Sequence, residues 1–167
     1  MTNATIADLF ELSITLEQTA EMFYRGLAAR FAHAPEAAAF WKNYADEEAG
    51  HARWLEDLRA QLDESKLRQP ANAALVESAR RLLRKTPEEA LAGITNLEEA
   101  YQTAVETENS ETNTIFEFLI TDYALTNRSK DFLRAQLHDH ADKVSREFPS
   151  AFQSRMTRLE VKARTGA

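Results

Sequence analysis

Cysteine is absent from this 167-residue chain. With it go disulfides, zinc knuckles, iron–sulfur clusters, a thiol nucleophile and any iron site built on four cysteines. Glycine and proline are scarce, at four each. That is too few for a turn-rich all-β domain or a disordered chain. Basic charge is in deficit, with 20 basic residues against 27 acidic ones and a net charge of -7. A polyphosphate partner calls for a basic surface or stripe, so nucleic acid is not expected as a partner. No apolar run reaches the roughly 18 residues that cross a bilayer, so no membrane partner is expected either. The opening MTNATIADLFELS has neither the basic nor the apolar region of a signal peptide. The expected location is the cytoplasm. What is present is 44% hydrophobic residues, enough for the core of one domain spanning 1–167.

The few prolines punctuate long stretches of helical periodicity. The first stretch carries the stripe Ile6, Phe10, Ser13, Glu17, Ala20, Tyr24, Leu27, Phe31. The second starts at Pro35, a good first-turn residue, and carries Trp41, Tyr44, Glu48, His51, Leu55, Leu58, Leu62. The third opens on Thr86-Pro87-Glu88-Glu89, a capping box, and carries Leu91, Ile94, Glu98, Tyr101, Val105, Glu108, Thr112, Ile115, Leu119. The fourth carries Leu133, Leu137, His140, Val144 and Phe148. The pattern predicts helices over about 5–32, 35–63, 87–121 and 127–148, with a crossover over 64–86 and a tail helix over 150–163. The short link at His33-Ala34-Pro35 and the loop near Thr121 to Thr126 make two antiparallel pairs. The crossover holds a short amphipathic helix around Leu75 to Leu83 and is long enough to return along the bundle. The expected fold is all-α: a four-helix bundle with one long crossover, the ferritin-like arrangement.

Three of the stripes hold a carboxylate where a leucine belongs. At about 100° per residue, Glu17, Glu48 and Glu108 each fall near the centre of their apolar face. Unpaired, each would cost several kcal/mol to bury, or would protonate. A divalent metal supplies the missing charge. Glu48 and His51 form a Glu-x-x-His pair, which puts carboxylate and imidazole on one face and is a ligand pair of di-iron and di-manganese bundles. Nineteen glutamates and four histidines make one such pair close to a chance event. The stronger signal is a half-repeat. Glu17 to Glu108 is an offset of 91 residues and His51 to His140 an offset of 89. First Glu to His spans 34 residues in one half and 32 in the other. Glu21, Asp46 and Glu47 sit off-centre, behind the ligands or on the surface. Tyr24, Tyr44 and Tyr101 are expected as core aromatics, of which one phenol could hydrogen-bond a ligand. Leu9, Leu16, Phe23, Phe40 and Trp54 lie at or beyond the stripe edges and point to burial by a second chain or by the tail, hence a homodimer.

From about Leu9 to Val144 the chain resembles the rubrerythrin branch of the ferritin-like superfamily. Leu16-Glu17 with Phe23-Tyr24 is similar to that family's first ligand helix. Phe40-Trp41 with Ala45-Asp46-Glu47-Glu48-Ala49-Gly50-His51 is similar to its Glu-x-x-His helix. Glu108-Asn109-Ser110-Glu111 is similar to its Glu-Asn-x-Glu. The resemblance implies a metal-ligand set of Glu17, Glu48, His51, Glu108, Glu111 and His140, with no catalytic group beyond the ligands. It implies two irons per chain if the site is complete, with zinc or manganese as alternatives. It also implies possible peroxide reduction or oxygen chemistry, with electrons from a separate donor protein. The family's second Glu-x-x-His departs here: His140 is in place, but its glutamate position is Leu137. Two alternatives stay open. One is ferritin-like iron oxidation and storage; the other is a non-catalytic bundle with a degenerate metal site.

Overall fold

A computed structural model describes residues 4–108, 111–124 and 126–150. Among the described residues eight helices run in order: α1 (Ile6–Arg30), α2 (Pro35–Ala60), α3 (Glu64–Leu67), α4 (Ala73–Leu82), α5 (Pro87–Ala92), α6 (Leu97–Glu108), α7 (Glu111–Tyr123) and α8 (Asn127–Glu147). The protein is all-α. The described residues contain one isolated β-bridge, Thr5 with Pro70. Flanking it, Ile6 N donates to Gln69 O and Ala71 N to Ala4 O, each at 2.9 Å. That strap ties the chain's start to the crossover.

Local signals set the helix starts. Thr5 and Asp8 cap α1 reciprocally, Thr5 N donating to Asp8 Oδ2 at 2.7 Å and Asp8 N to Thr5 Oγ1 at 3.3 Å. Thr86 and Glu89 do the same for α5, and Pro35 opens α2. The third predicted helix differs: 87–121 is not one helix but α5, α6 and α7. Gly93 ends α5. Asn96 Oδ1 then accepts from Glu99 N at 2.9 Å, and Glu99 Oε2 accepts from Thr95 N at 2.7 Å, so a new cap starts α6. The Arg30 guanidinium donates to the carbonyls of Leu91 and Ile94 at the end of α5 and ties the break to α1. The junction of α6 and α7, residues 109–110, and residues 151–163 of the expected tail helix lie outside the described residues.

The core is two apolar blocks. One holds Phe10 and Ile14 of α1, Leu55 and Leu58 of α2, Val76 of α4, Ile115 and Leu119 of α7, and Leu133 and Leu137 of α8. The other holds Tyr24 and Leu27 of α1, Trp41 and Tyr44 of α2, Tyr101 and Ala104 of α6, and Val144 and Phe148 of α8. Helix α1 runs from the first block to the second, and α2 returns. The crossover travels back from the first block to Ile94 in the second. The α6–α7 stretch then runs parallel to α2, and α8 runs antiparallel to it. This is the bundle order that a long crossover produces.

The crossover also covers α1, packing α4 and α5 against it. Leu9, Leu16, Phe23 and Phe40 are buried within the single chain, and Met22 is the exposed large hydrophobic among the described residues. Those four residues therefore need no second chain to cover them, and the homodimer expectation loses that motive. Trp54 remains half-buried beside the first block.

Candidate metal centre

Between the two apolar blocks lies one polar layer. Its members come from four helices: Glu17 from α1, Glu48 and His51 from α2, Glu108 from α6 and His140 from α8. Glu17, Glu48, Glu108 and His140 are 3–5% exposed, which places three carboxylates and an imidazole where side chains are normally apolar.

Glu48 is the centre of the layer. Its Oε2 lies 3.0 Å from His51 Nδ1, and its Oε1 lies 3.1 Å from His140 Nε2. Glu17 Oε2 flanks His51 Nδ1 at 3.3 Å. Glu108 Oε2 flanks His140 Nε2 at 3.2 Å. The two imidazoles meet edge to face, with centroids 4.8 Å apart. One ligand atom each from Glu48, His51 and His140 falls within 4.8 Å of the others, a spacing at which one cation can touch all three.

The half-repeat thus has a spatial meaning. Glu17 with His51 and Glu108 with His140 form two matching halves, and Glu48 lies between them. The position that repeats Glu48 is Leu137, and it packs into the first apolar block. The side chain of Glu111 lies outside the described residues.

The electrostatics follow from burial and from this pairing. Burial pushes Glu17 up to about 8, against the pull of His51. Burial likewise holds Glu108 above the usual carboxylate range, although His140 opposes it. Burial also acts against Glu48, but the two imidazoles outweigh it and keep Glu48 well below that range. For His51 burial favours the neutral ring, and the contacts with Glu17 and Glu48 reverse this to about 9. His140 is raised in the same way by Glu48, Glu108 and Glu47. Without metal, protons on the imidazoles and on Glu17 do the neutralising.

Supporting contacts surround the layer. Glu47 Oε2 accepts from His140 Nδ1 at 2.8 Å, and Lys143 pairs with the other Glu47 oxygen. With Nδ1 so engaged, Nε2 of His140 faces Glu48 and Glu108. Tyr24 donates to Glu108, and Tyr44 donates to the His140 carbonyl. Burial raises the Tyr24 phenol well above its usual value, as does the charge on Glu108, so it stays a donor. From sequence alone Glu47 fits either the surface or a place behind the ligands, and no motif marks Lys143 as a supporting residue. The available signal was spacing: Lys143 is three residues past His140, and Tyr24 is seven past Glu17 on the same stripe.

The Rubrerythrin family model matches residues 8–122, more than two thirds of the chain. The chain belongs to the rubrerythrin family. Comparison with curated proteins and with solved structures finds no match. The matched span contains Glu17, Glu48, His51, Glu108 and Glu111 but stops before α8.

Proposed function

We propose that this rubrerythrin binds two irons in the polar layer and uses them to reduce peroxide or react with dioxygen, with turnover weakened by Leu137. The observation that carries the reading is Glu48, whose two oxygens face different histidines. A carboxylate between two imidazoles, each backed by a further carboxylate, has the donor order of a bridged pair. The donor set suits iron, since carboxylate oxygen and imidazole nitrogen hold both of its common oxidation states. The cations facing Glu17, Glu48 and Glu108 are the two imidazolium rings, so the layer's buried charge is balanced by protons that a metal can replace.

Glu17, Glu48 and His51 would hold one metal; Glu48, Glu108 and His140 would hold the other, joined on the sequence spacing by Glu111. When bound, the irons supply two electrons for cleaving an oxygen–oxygen bond. Glu47 orients His140, Tyr24 holds Glu108, and the apolar blocks close the layer on two sides. Electrons come from a separate donor protein. A second reading, a bundle whose metal serves stability alone, is favoured by one observation: at Leu137 the layer lacks the carboxylate that would complete the second half.

The deciding experiment is an anaerobic ferrous titration followed by a stoichiometric pulse of hydrogen peroxide. Up to two irons per chain are expected, with a ferric absorption band after the pulse. No iron above background overturns both readings. Bound iron that peroxide does not oxidise leaves the structural reading.

A further inference from the structure

A cleft of about 380 Å³ opens beside the polar layer. His51 and His140 line it on the side of the polar layer. His51 lends it an aromatic wall, with Phe116 at 5.3 Å between ring centroids and Trp54 at 5.9 Å from Phe116; Leu133 extends that wall. Glu47, Lys143 and Asp139 also line it, with Asp139 the most exposed of the three. Both carboxylates are paired, Glu47 with Lys143 and Asp139 with Arg146 at 2.6 Å. Among the described residues the mouth thus offers little spare charge to an ionic guest.

Size and lining decide what fits. A water or a hydrogen peroxide needs roughly 30 Å³ or a little more, so a route for peroxide alone would be a file of single molecules. The cleft is instead of the size that takes a small organic ligand, with an apolar wall and a few polar groups at one end. We propose that it binds a small uncharged organic molecule of the hydroperoxide or alcohol class. The apolar body lies on Trp54, Phe116 and Leu133, and the oxygen-bearing head lies on the polar side, beside His51 and the Glu47–Lys143 pair. For the peroxide-reducing function proposed above, on which this consequence alone rests, the substrates are organic hydroperoxides. The cleft itself is formed by side chains and needs no metal.

Gly50 provides the test. It lines the cleft, and a Cβ built on it meets nothing within 4 Å. Gly50→Leu therefore adds bulk to the cleft from a Cβ with open space around it, and it raises helix propensity. Trp41 is fully buried in the second block while Trp54 lines the cleft, so tryptophan emission reports on the site. The probe is 2-phenyl-2-propanol, a stable alcohol with an aromatic body, titrated into metal-free and zinc-loaded protein.

A saturable emission change is expected in both forms. Gly50→Leu should weaken it by at least about tenfold, equivalent to ~1.4 kcal/mol, while metal content and melting temperature are kept. Trp54→Phe should remove the emission change. A linear, non-saturating response, or equal affinity in Gly50→Leu, overturns the cleft proposal. Metal content measured on the same samples separates the two ideas: zinc bound without alcohol binding sinks the cleft alone, and alcohol binding without zinc sinks the metal site alone.

Discussion

Glu48 and Glu47 are neighbours in sequence with opposite situations. Glu48 is buried and faces two histidines; Glu47 is half-buried and faces one, with Lys143 on its other oxygen. Their substitutions should separate ligation from support. Glu48→Gln removes the charge between two imidazoliums. Breaking a buried ion pair from one side costs about 3–5 kcal/mol, so the metal-free variant should unfold at markedly lower urea concentration at pH 7. Metal stoichiometry should also fall. Glu47→Gln keeps a hydrogen-bond acceptor near His140 Nδ1 but loses the charge. Outer-shell changes of this kind typically cost about 10–100-fold in metal affinity, so it should keep stoichiometry and lose affinity. Competition against a coloured chelator measures both. Equal loss in the two variants would mean that Glu48 has no privileged place. At this scale the sequence was readable where a charge interrupts an apolar stripe, because burial makes a charge conspicuous. It was not readable for Glu47, because charges on half-exposed helix faces are common and have no single meaning.

Helices explain both what the pattern showed and what it hid. In α1, α2 and α8 the stripe and the helix run together from end to end, polar members included. Periodicity missed the break after Gly93 because the stripe Leu91, Ile94, Glu98, Tyr101 keeps helical spacing across Thr95 and Asn96. The stop was nonetheless written in Gly93 and in the cap at Thr95, Asn96 and Glu99. The half-repeat is also an element-scale feature, and its defect is on α8. Leu137 lies one turn before His140, on the first apolar block. Leu137→Glu should therefore behave oppositely with and without metal. Metal-free, a fourth buried carboxylate costs several kcal/mol or takes up a proton, and the melting temperature should drop. With metal, the new carboxylate reaches the His140 half, and the weaker of two binding steps should tighten. Calorimetric titration with zinc and melting curves on the same samples read both. No change in either binding step would mean that this face of α8 does not reach the metals.

The described residues form two oily blocks with a charged layer between them, and the protein's stability should depend on pH in a way that metal reverses. Glu17 has an unfolded value near 4.5 and a folded value of about 8. Its contribution is complete below the first value and lost as pH rises through the second. His51 goes from 6.5 unfolded to about 9 folded, so its contribution is complete below pH 6.5 and lost through 9. Glu108 and His140 are raised too and act in the same sense. Glu48 is depressed; its contribution is present above 4.5 and lost only in stronger acid, outside this window. From pH 5 to 9 the metal-free fold binds more protons than the unfolded chain, so its stability should fall, by an amount on the order of a few kcal/mol. Metal must displace those same protons, so its apparent affinity rises with pH. At fixed excess metal the added stability, roughly 2.7 kcal/mol at a hundredfold excess over the dissociation constant, should grow over the range where the metal-free fold weakens. Urea denaturation at pH 5, 7 and 9, in chelator and in zinc, gives two curves that diverge toward alkali. A metal-free protein more stable at pH 9 than at pH 5 would show that these groups do not share protons in the core, and the polar layer would need another explanation.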